Sequence, residues 1–269
     1  MPIPRFTKPV LIYLPAYNCA SIAANVIRNI PQVFAGRAEA LLIDNCSTDN
    51  TAGLTWESLA KKPGPVPCQL LRTKCNLGYA GSQKLAYEIA LANPAVEHVI
   101  MLHGDGQYPP ELASEFLKEC AGPADIVYGY RSKLYYRGKE ETPLLTFTMI
   151  RILSIIESLV TTTFRKEWHT GYIMYRTRFL AKIPFQVLTT TPHIDGHLLY
   201  AGGQVDANVK GIPIFKRYKN LIAFAGHERA RYVFDVFRLM FSFRRTPIKN
   251  IAPKKLFSEN DYETIGAKS

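Results

Sequence analysis

Residues 99–111 read Val99-Ile100-Met101-Leu102-His103-Gly104-Asp105-Gly106-Gln107-Tyr108-Pro109-Pro110-Glu111. Four apolar residues followed by a glycine-punctuated segment describe a buried strand breaking into a tight turn. The turn lifts Asp105 and Gln107 off the strand end, and Pro109 and Pro110 open a helix whose first turn carries Glu111. A carboxylate in that place can hold a divalent cation against a diphosphate, because hard cations take oxygen ligands and phosphates bring most of them. Taken alone, the pattern fits an ordinary turn or cap residue as well.

The flanking sequence repeats the theme. Val10-Leu11-Ile12-Tyr13-Leu14 is an apolar strand ending in Pro15-Ala16-Tyr17-Asn18, and a helical pattern follows through Ile22, Val26, Ile27 and Ile30. Leu41-Leu42-Ile43 runs into Asp44-Asn45-Cys46-Ser47-Thr48-Asp49, where Ser47, Thr48 or Asp49 can cap the next helix. Gln69-Leu70-Leu71 precedes Asn76-Leu77-Gly78 and a helix to about Ala92. Strand and helix alternate throughout the first half, which implies an α/β fold with a mostly parallel central sheet flanked by helices. Such sheets collect polar residues at one rim and bind nucleotides there.

Four segments resemble the family-2 glycosyltransferases: Pro15 to Asn18, Asp44 to Thr51, Asn76 to Lys84, and Leu102 to Pro110. A fifth, Glu167-Trp168-His169-Thr170-Gly171-Tyr172, looks like that family's acceptor-side motif. The matches span about Val10 to Tyr218 in order, and five in context are far more specific than one. The chain is most similar to bacterial members resembling polyprenyl-phosphate sugar transferases. The resemblance implies a Rossmann-like glycosyltransferase A fold with C-terminal amphipathic helices. It also implies a nucleotide-diphosphate-sugar donor and a divalent cation, Mg2+ or Mn2+. On the donor side Pro15, Ala16 and Tyr17 would flank the base, with Asn18 beside them. Asp44 would accept from a ring N–H of the base, next to Asn45. Gly78, Lys84, His103 and Gly104 would lie near the donor, and Asp105 with Gln107 would hold the metal.

Three departures from the family pattern remove negative charge from this pocket. His103 stands where the first carboxylate of Asp-x-Asp is usual, although an imidazole can still meet a hydroxyl or a metal. Asn45 and Cys46 replace an aspartate and a glycine, and Cys19 replaces a common glutamate. His103, Asn45 and Cys46 favour a rival reading, a degenerate module that holds a nucleotide sugar or scaffolds a membrane complex without turnover. A nucleotidyltransferase is the rival among enzymes, but Pro15-Ala16-Tyr17-Asn18 is not the glycine-rich basic loop it would want.

On the acceptor side, Arg131 ends the strand Tyr128-Gly129-Tyr130, and Arg217 follows the strand Val209 to Phe215. The resemblance implies that both arginines face an acceptor phosphate, with His169, Thr170 and Gly171 forming the acceptor wall. A sugar-hydroxyl acceptor needs a general base, with Glu167 the first choice and Asp195 the second. A lipid phosphate is already an anion and needs none. Bland alternatives stand beside these: Glu167 pairing with Arg165 or Lys166, His169 as a hydrogen-bonded wall residue, Asp195 as a helix cap.

With 269 residues and 47% hydrophobic content, the chain can bury a large core as one enzyme domain. That domain is expected over 1–220, with a donor half at about 8–130 and an acceptor half at about 131–220. A basic aromatic helical segment is expected over 221–255 and a flexible tail over 256–269. The five cysteines form no C-x-x-C pair, which argues for reduced thiols in a cytoplasmic setting. No signal-peptide pattern opens the sequence.

Charge is uneven. Residues 1–130 carry 10 Lys+Arg against 11 Asp+Glu, whereas residues 131–269 carry 23 against 11. The basic half suits an anionic partner such as a diphosphate, a lipid phosphate or an anionic membrane surface. Nucleic acid is not expected, since no nucleic-acid motif accompanies the charge. Leu144 to Phe164 is long and apolar but carries Arg151 and Glu157, each disfavoured by about 2.5–3.5 kcal/mol at mid-bilayer, so it is not read as a span. Its polar stripe (Arg151, Ser154, Ser158, Thr161) beside a wide apolar face suits an interfacial helix, a seam between two copies of the chain, or a helix across the core. Arg229 to Arg245 mixes arginines with phenylalanines, a composition that lodges at a headgroup boundary. The sequence therefore predicts an inverting, metal-dependent glycosyltransferase with a lipid-phosphate or glycan acceptor. It is expected to be cytoplasmic and peripheral on the inner face of the membrane.

Overall fold

Seven successive residues, Val10–Ala16 (β1), are buried at all but one position, as expected of a central strand covered on both faces. The computed structural model describes residues 3–218, 226–245, 248 and 255–268. β1 pairs in parallel with β2 (Ala38–Asp44) on one side and β4 (His98–Met101) on the other, and β2 pairs in parallel with β3 (Cys68–Thr73). Side chains alternate across this sheet. Leu11, Tyr13, Leu41 and Ile43 enter one apolar core, and Val10, Ile12, Leu14 and Leu42 enter the other. α1 (Ala23–Arg28) and α2 (Thr51–Lys61) follow β1 and β2. α3 (Gly78–Leu91) follows β3, and α4 (Ala113–Glu119) follows the Asp105 turn.

The second half continues the same sheet. β5 (Ile126–Arg131) and β7 (Val209–Ile214) pair in parallel, β6 (Ile173–Arg176) joins them antiparallel to β4, and with β8 (Tyr262–Lys268) at the far edge the order is β7-β5-β6-β4-β1-β2-β3-β8. Among the described residues, four of the seven strand pairings are parallel. The remaining helices are α5 (Leu144–Thr161), α6 (Thr177–Leu180), α7 (Ile194–Gln204) and α8 (Gly226–Arg245).

The end of the chain departs from the expected flexible tail. β8 (Tyr262–Lys268) pairs antiparallel with β3 and closes that edge of the sheet. An unpaired edge strand leaves a row of backbone groups open, and pairing satisfies them even where the added strand is polar. Trp56 of α2 packs against Gly266, where a Cβ would lie 2.3 Å from the indole ring.

α5 settles one of the open alternatives. Ser154, Glu157 and Ser158 point inward and are buried, whereas Leu145 and Leu159 are 75% and 74% exposed. The polar stripe faces the protein because it has partners there. Ser154 Oγ accepts from the Trp168 backbone N–H, Ser158 Oγ accepts from the Trp168 indole, and Arg151 donates to the carbonyls of Arg131 and Lys166. A helix laid across the core is thereby excluded. By length and composition α5 is long and apolar enough to cross a membrane. In α8, Val236, Leu239 and Met240 are buried while Phe234 and Phe241 are exposed. The side chains of Arg229, Phe243, Arg244 and Arg245 lie outside the described residues, as do residues 219–225 and 249–254.

Candidate active site

β1 lies between β2 and β4, so the connections leaving β1 and β4 diverge at their carboxyl ends. In open α/β sheets, that divergence is where ligands bind. Pro15-Ala16-Tyr17 and His103-Gly104-Asp105 meet there, and the Gly104 N–H donates to the Pro15 carbonyl at 3.0 Å. A Cβ on Gly104 would stand 3.0 Å from that oxygen, so the approach requires glycine. Asp105 Oδ1 accepts from the Gln107 N–H at 2.9 Å, an Asx-turn that holds the carboxylate at the rim.

Asp105, Gln107 and Arg217 line one cavity of about 230 Å3, together with Asn25 and Asn29. Arg217 arrives from the end of β7. Its N–H donates to the Gln107 carbonyl at 2.9 Å, and its guanidinium meets Glu111 at 2.5 Å. Next to it, Lys216 places its ammonium 4.9 Å from the Tyr108 ring centroid, and burial pushes that amine down to about 8. Lys216 is not among the residues expected at the site, although its place beside Arg217 after a strand signals it.

Most of the other donor-side residues brace the loops around this cavity. Asp44 is 1% exposed; its oxygens accept from the N–H groups of Ser47 (3.0 Å) and Ala52 (3.3 Å). Asn45 accepts from the Leu77 N–H and donates to Asn76, and Asn18 accepts from the Thr48 N–H. Asp49 rather than Ser47 or Thr48 accepts from the Thr51 N–H at the start of α2. Gly78 opens α3 at φ +69°, and Tyr17 is half exposed at the rim. Lys84 departs from its expected donor role. It is buried on α3 and its ammonium donates to the carbonyls of Gln186 (3.0 Å) and Leu188 (2.7 Å), so its charge is spent on the chain itself.

The acceptor-side residues are largely enclosed. Glu167 has no exposed surface and pairs with Arg131, Oε1 to Nε at 3.0 Å, while its Oε2 accepts from the Arg131 N–H at 2.8 Å. Arg131 also donates to the His169 carbonyl at 2.7 Å. This corrects two expectations: Glu167 is the counter-ion of Arg131 rather than a free base, and Arg131 is buried in that pair rather than facing a phosphate. His169 is tied to Glu157 and Tyr232 rather than lining an open wall. Thr170 is buried and accepts from the Tyr172 N–H.

Gly171 sits tightly against the first half, since a Cβ there would lie 2.6 Å from His103 Nε2 and 2.8 Å from the Tyr79 hydroxyl. Tyr79 in turn donates to Asp195 Oδ2 at 2.8 Å, and its hydroxyl stands 3.3 Å from His103 Nε2. Asp195 also accepts from Gln83, and burial lifts its carboxyl to about 7 against these hydrogen bonds. It is not the cap of α7, because that place belongs to His193. Burial pushes His103 down to about 4, so the residue in place of the first carboxylate is a neutral imidazole at neutral pH. Asp105 and the Gln107 amide, open to a cavity, suit a hard cation that takes one carboxylate and draws its other ligands from a substrate's phosphates.

The fold is that of the glycosyltransferase A class. The sequence model described as glycosyl transferase family 2 matches residues 11–188, and the chain belongs to that family. No curated protein sequence matches it. Among solved structures it is similar to glucosyl-3-phosphoglycerate synthase from Mycobacterium tuberculosis, in complex with Mn2+, UDP and glucosyl-3-phosphoglycerate. The TM-score is 0.65 at 13% identity, covering 97% of this chain and 90% of that one. A mannosyltransferase from Pyrobaculum calidifontis, in complex with GDP-Man and Mn2+, gives a TM-score of 0.63 at 16% identity, covering 90% of this chain and 65% of that one.

Proposed function

We propose that this protein moves a sugar from a nucleoside-diphosphate sugar to an anionic acceptor, inverting the anomeric carbon. The observation carrying this reading is that Asp105, Gln107 and Arg217, from opposite halves of the sequence, line one cavity at the point where strand order reverses. Asp105 and Gln107 would hold Mg2+ or Mn2+. When bound, the cation neutralises charge that builds on the departing diphosphate. Lys216 and Arg217 supply positive charge beside it, and the uncharged His103 can exchange a hydrogen bond with a sugar or ribose hydroxyl. The bond from the anomeric carbon to the diphosphate oxygen breaks as the bond to the acceptor oxygen forms. The enclosure of Glu167 and Asp195 favours an acceptor that is already an anion over a hydroxyl needing a base, and so a lipid phosphate over a glycan. The metal and nucleotides bound by the similar structures support the donor class.

The outward apolar face of α5, with Phe234 and Phe241 of α8, supports docking on the cytoplasmic face of an anionic membrane. A second reading, a nucleotide-sugar-binding module without turnover, draws on the neutral His103. Thermal-shift screening of UDP, GDP, dTDP and CDP sugars with and without Mg2+ or Mn2+ tests the donor site, because a ligand of the folded state raises its melting point. A metal-dependent rise with one nucleotide class is expected. No rise with any of them contradicts both readings.

A further inference from the structure

Glu157 of α5, His169 of the acceptor-side segment and His193 at the start of α7 come together, and none of them lines the Asp105 cavity. One ligand atom from each lies within 4.8 Å of the others. All three side chains are buried, at 1%, 4% and 1% exposure. Each imidazole presents Nε2 to a different oxygen of the same carboxylate, at 2.7 Å for His169 and 3.0 Å for His193. The His169 Nε2 and Glu157 Oε2 atoms nevertheless lack the alignment of a hydrogen bond. Both Nδ1 atoms turn to one hydroxyl, Tyr232 of α8, at 2.8 Å and 3.2 Å.

Three hydrogen bonds join the rings to Tyr232 and Glu157, which uses the three protons of two neutral imidazoles and one hydroxyl, and the Tyr200 hydroxyl donates to Glu157 Oε1. The 2.7 Å approach of His169 Nε2 to Glu157 Oε2 is left with no proton between the two atoms. A positive charge among Nε2, Nε2 and the carboxylate completes the set. Two imidazoles and a carboxylate are the ligand types of zinc-class cations, whereas Asp105 and Gln107 offer oxygen alone. Tetrahedral zinc ligands stand about 3.3 Å apart, close to the 2.7 Å and 3.0 Å by which the two Nε2 atoms approach the Glu157 oxygens. A hydrogen-bond acceptor on the far nitrogen of each ligating histidine is the usual outer support of such a site, and the Tyr232 hydroxyl can accept from both Nδ1 atoms.

We propose that Glu157, His169 and His193 supply three ligands of a zinc-class site that ties α5, α7 and the acceptor-side segment together. Tyr232 supports it and thereby joins α8 to the transferase domain. The site is separate from the Asp105 cavity, so the two proposals fail separately. The test is chelator-stripped full-length protein titrated with Co2+ and with Zn2+. Wild type and Asp105→Asn are each expected to take up one equivalent of Co2+ with the intense visible absorption of a tetrahedral site, displaced by Zn2+. His193→Gln is expected to lose both. Tyr232→Phe, which keeps the ring in place, is expected to weaken the affinity about 10–100-fold, and it serves if His193→Gln fails to fold. No Co2+ uptake by wild type, uptake lost on Asp105→Asn, or affinity unchanged by Tyr232→Phe would overturn the proposal.

Discussion

At the residue scale, His103 and Asp195 show how the rim trades charge for burial. The imidazole that replaces a carboxylate is neutral, and it is linked through Tyr79 to an aspartic acid lifted to about 7. A carboxyl whose folded value lies above its unfolded one of about 3.9 binds more protons folded than unfolded. Its contribution is therefore fully present below about pH 4 and lost as the pH rises through 7. Asp195→Asn is expected to flatten the fall in unfolding free energy between pH 4 and 7 by at most about 4 kcal/mol, read by urea titration at several pH values. Gly171 is the second such point. Gly171→Ala would press on His103 and Tyr79 at once and should cost about 1–3 kcal/mol in the same assay. The sequence showed Asp105, Gln107, Gly104 and Arg217 in their local context, and these residues do converge. It did not show that Lys84, Arg131 and Glu167 spend their charges internally, because those partners lie up to 104 residues away.

At the scale of elements, the first four strands and the turn after β4 were legible because short apolar runs ended by glycine, proline and asparagine carry their own signal. The period of α5 was legible too, but not which face turns inward. That depended on Trp168 and the carbonyls of Arg131 and Lys166, which reward the polar stripe from a distance. β8 was hidden for a related reason. A polar edge strand is chosen by the partner it meets, here β3 and Trp56, more than by its own residues. Gly266→Ala is expected to displace Trp56 and lower stability by about 1–3 kcal/mol, measured by urea unfolding. An unchanged midpoint would mean that β8 adds little to the fold.

Over the whole molecule, oxygen and nitrogen groups gather at the cleft, and hydrocarbon lies on the outward face of α5. Ile152 and Ile155 are exposed at 52% and 55%, so Ile152→Glu with Ile155→Glu should leave folding intact while reducing sedimentation with anionic vesicles several-fold. Equal sedimentation of the two proteins would remove α5 from the membrane contact. The rate of metal-dependent cleavage of the cognate nucleotide sugar, compared between wild type and Asp105→Asn with both shown folded by thermal unfolding, probes the cleft itself. A fall of about 100-fold or more with the nucleotide still bound is expected. Equal rates in the two proteins would contradict the assignment of Asp105 to the departing diphosphate, and with it the proposed transfer.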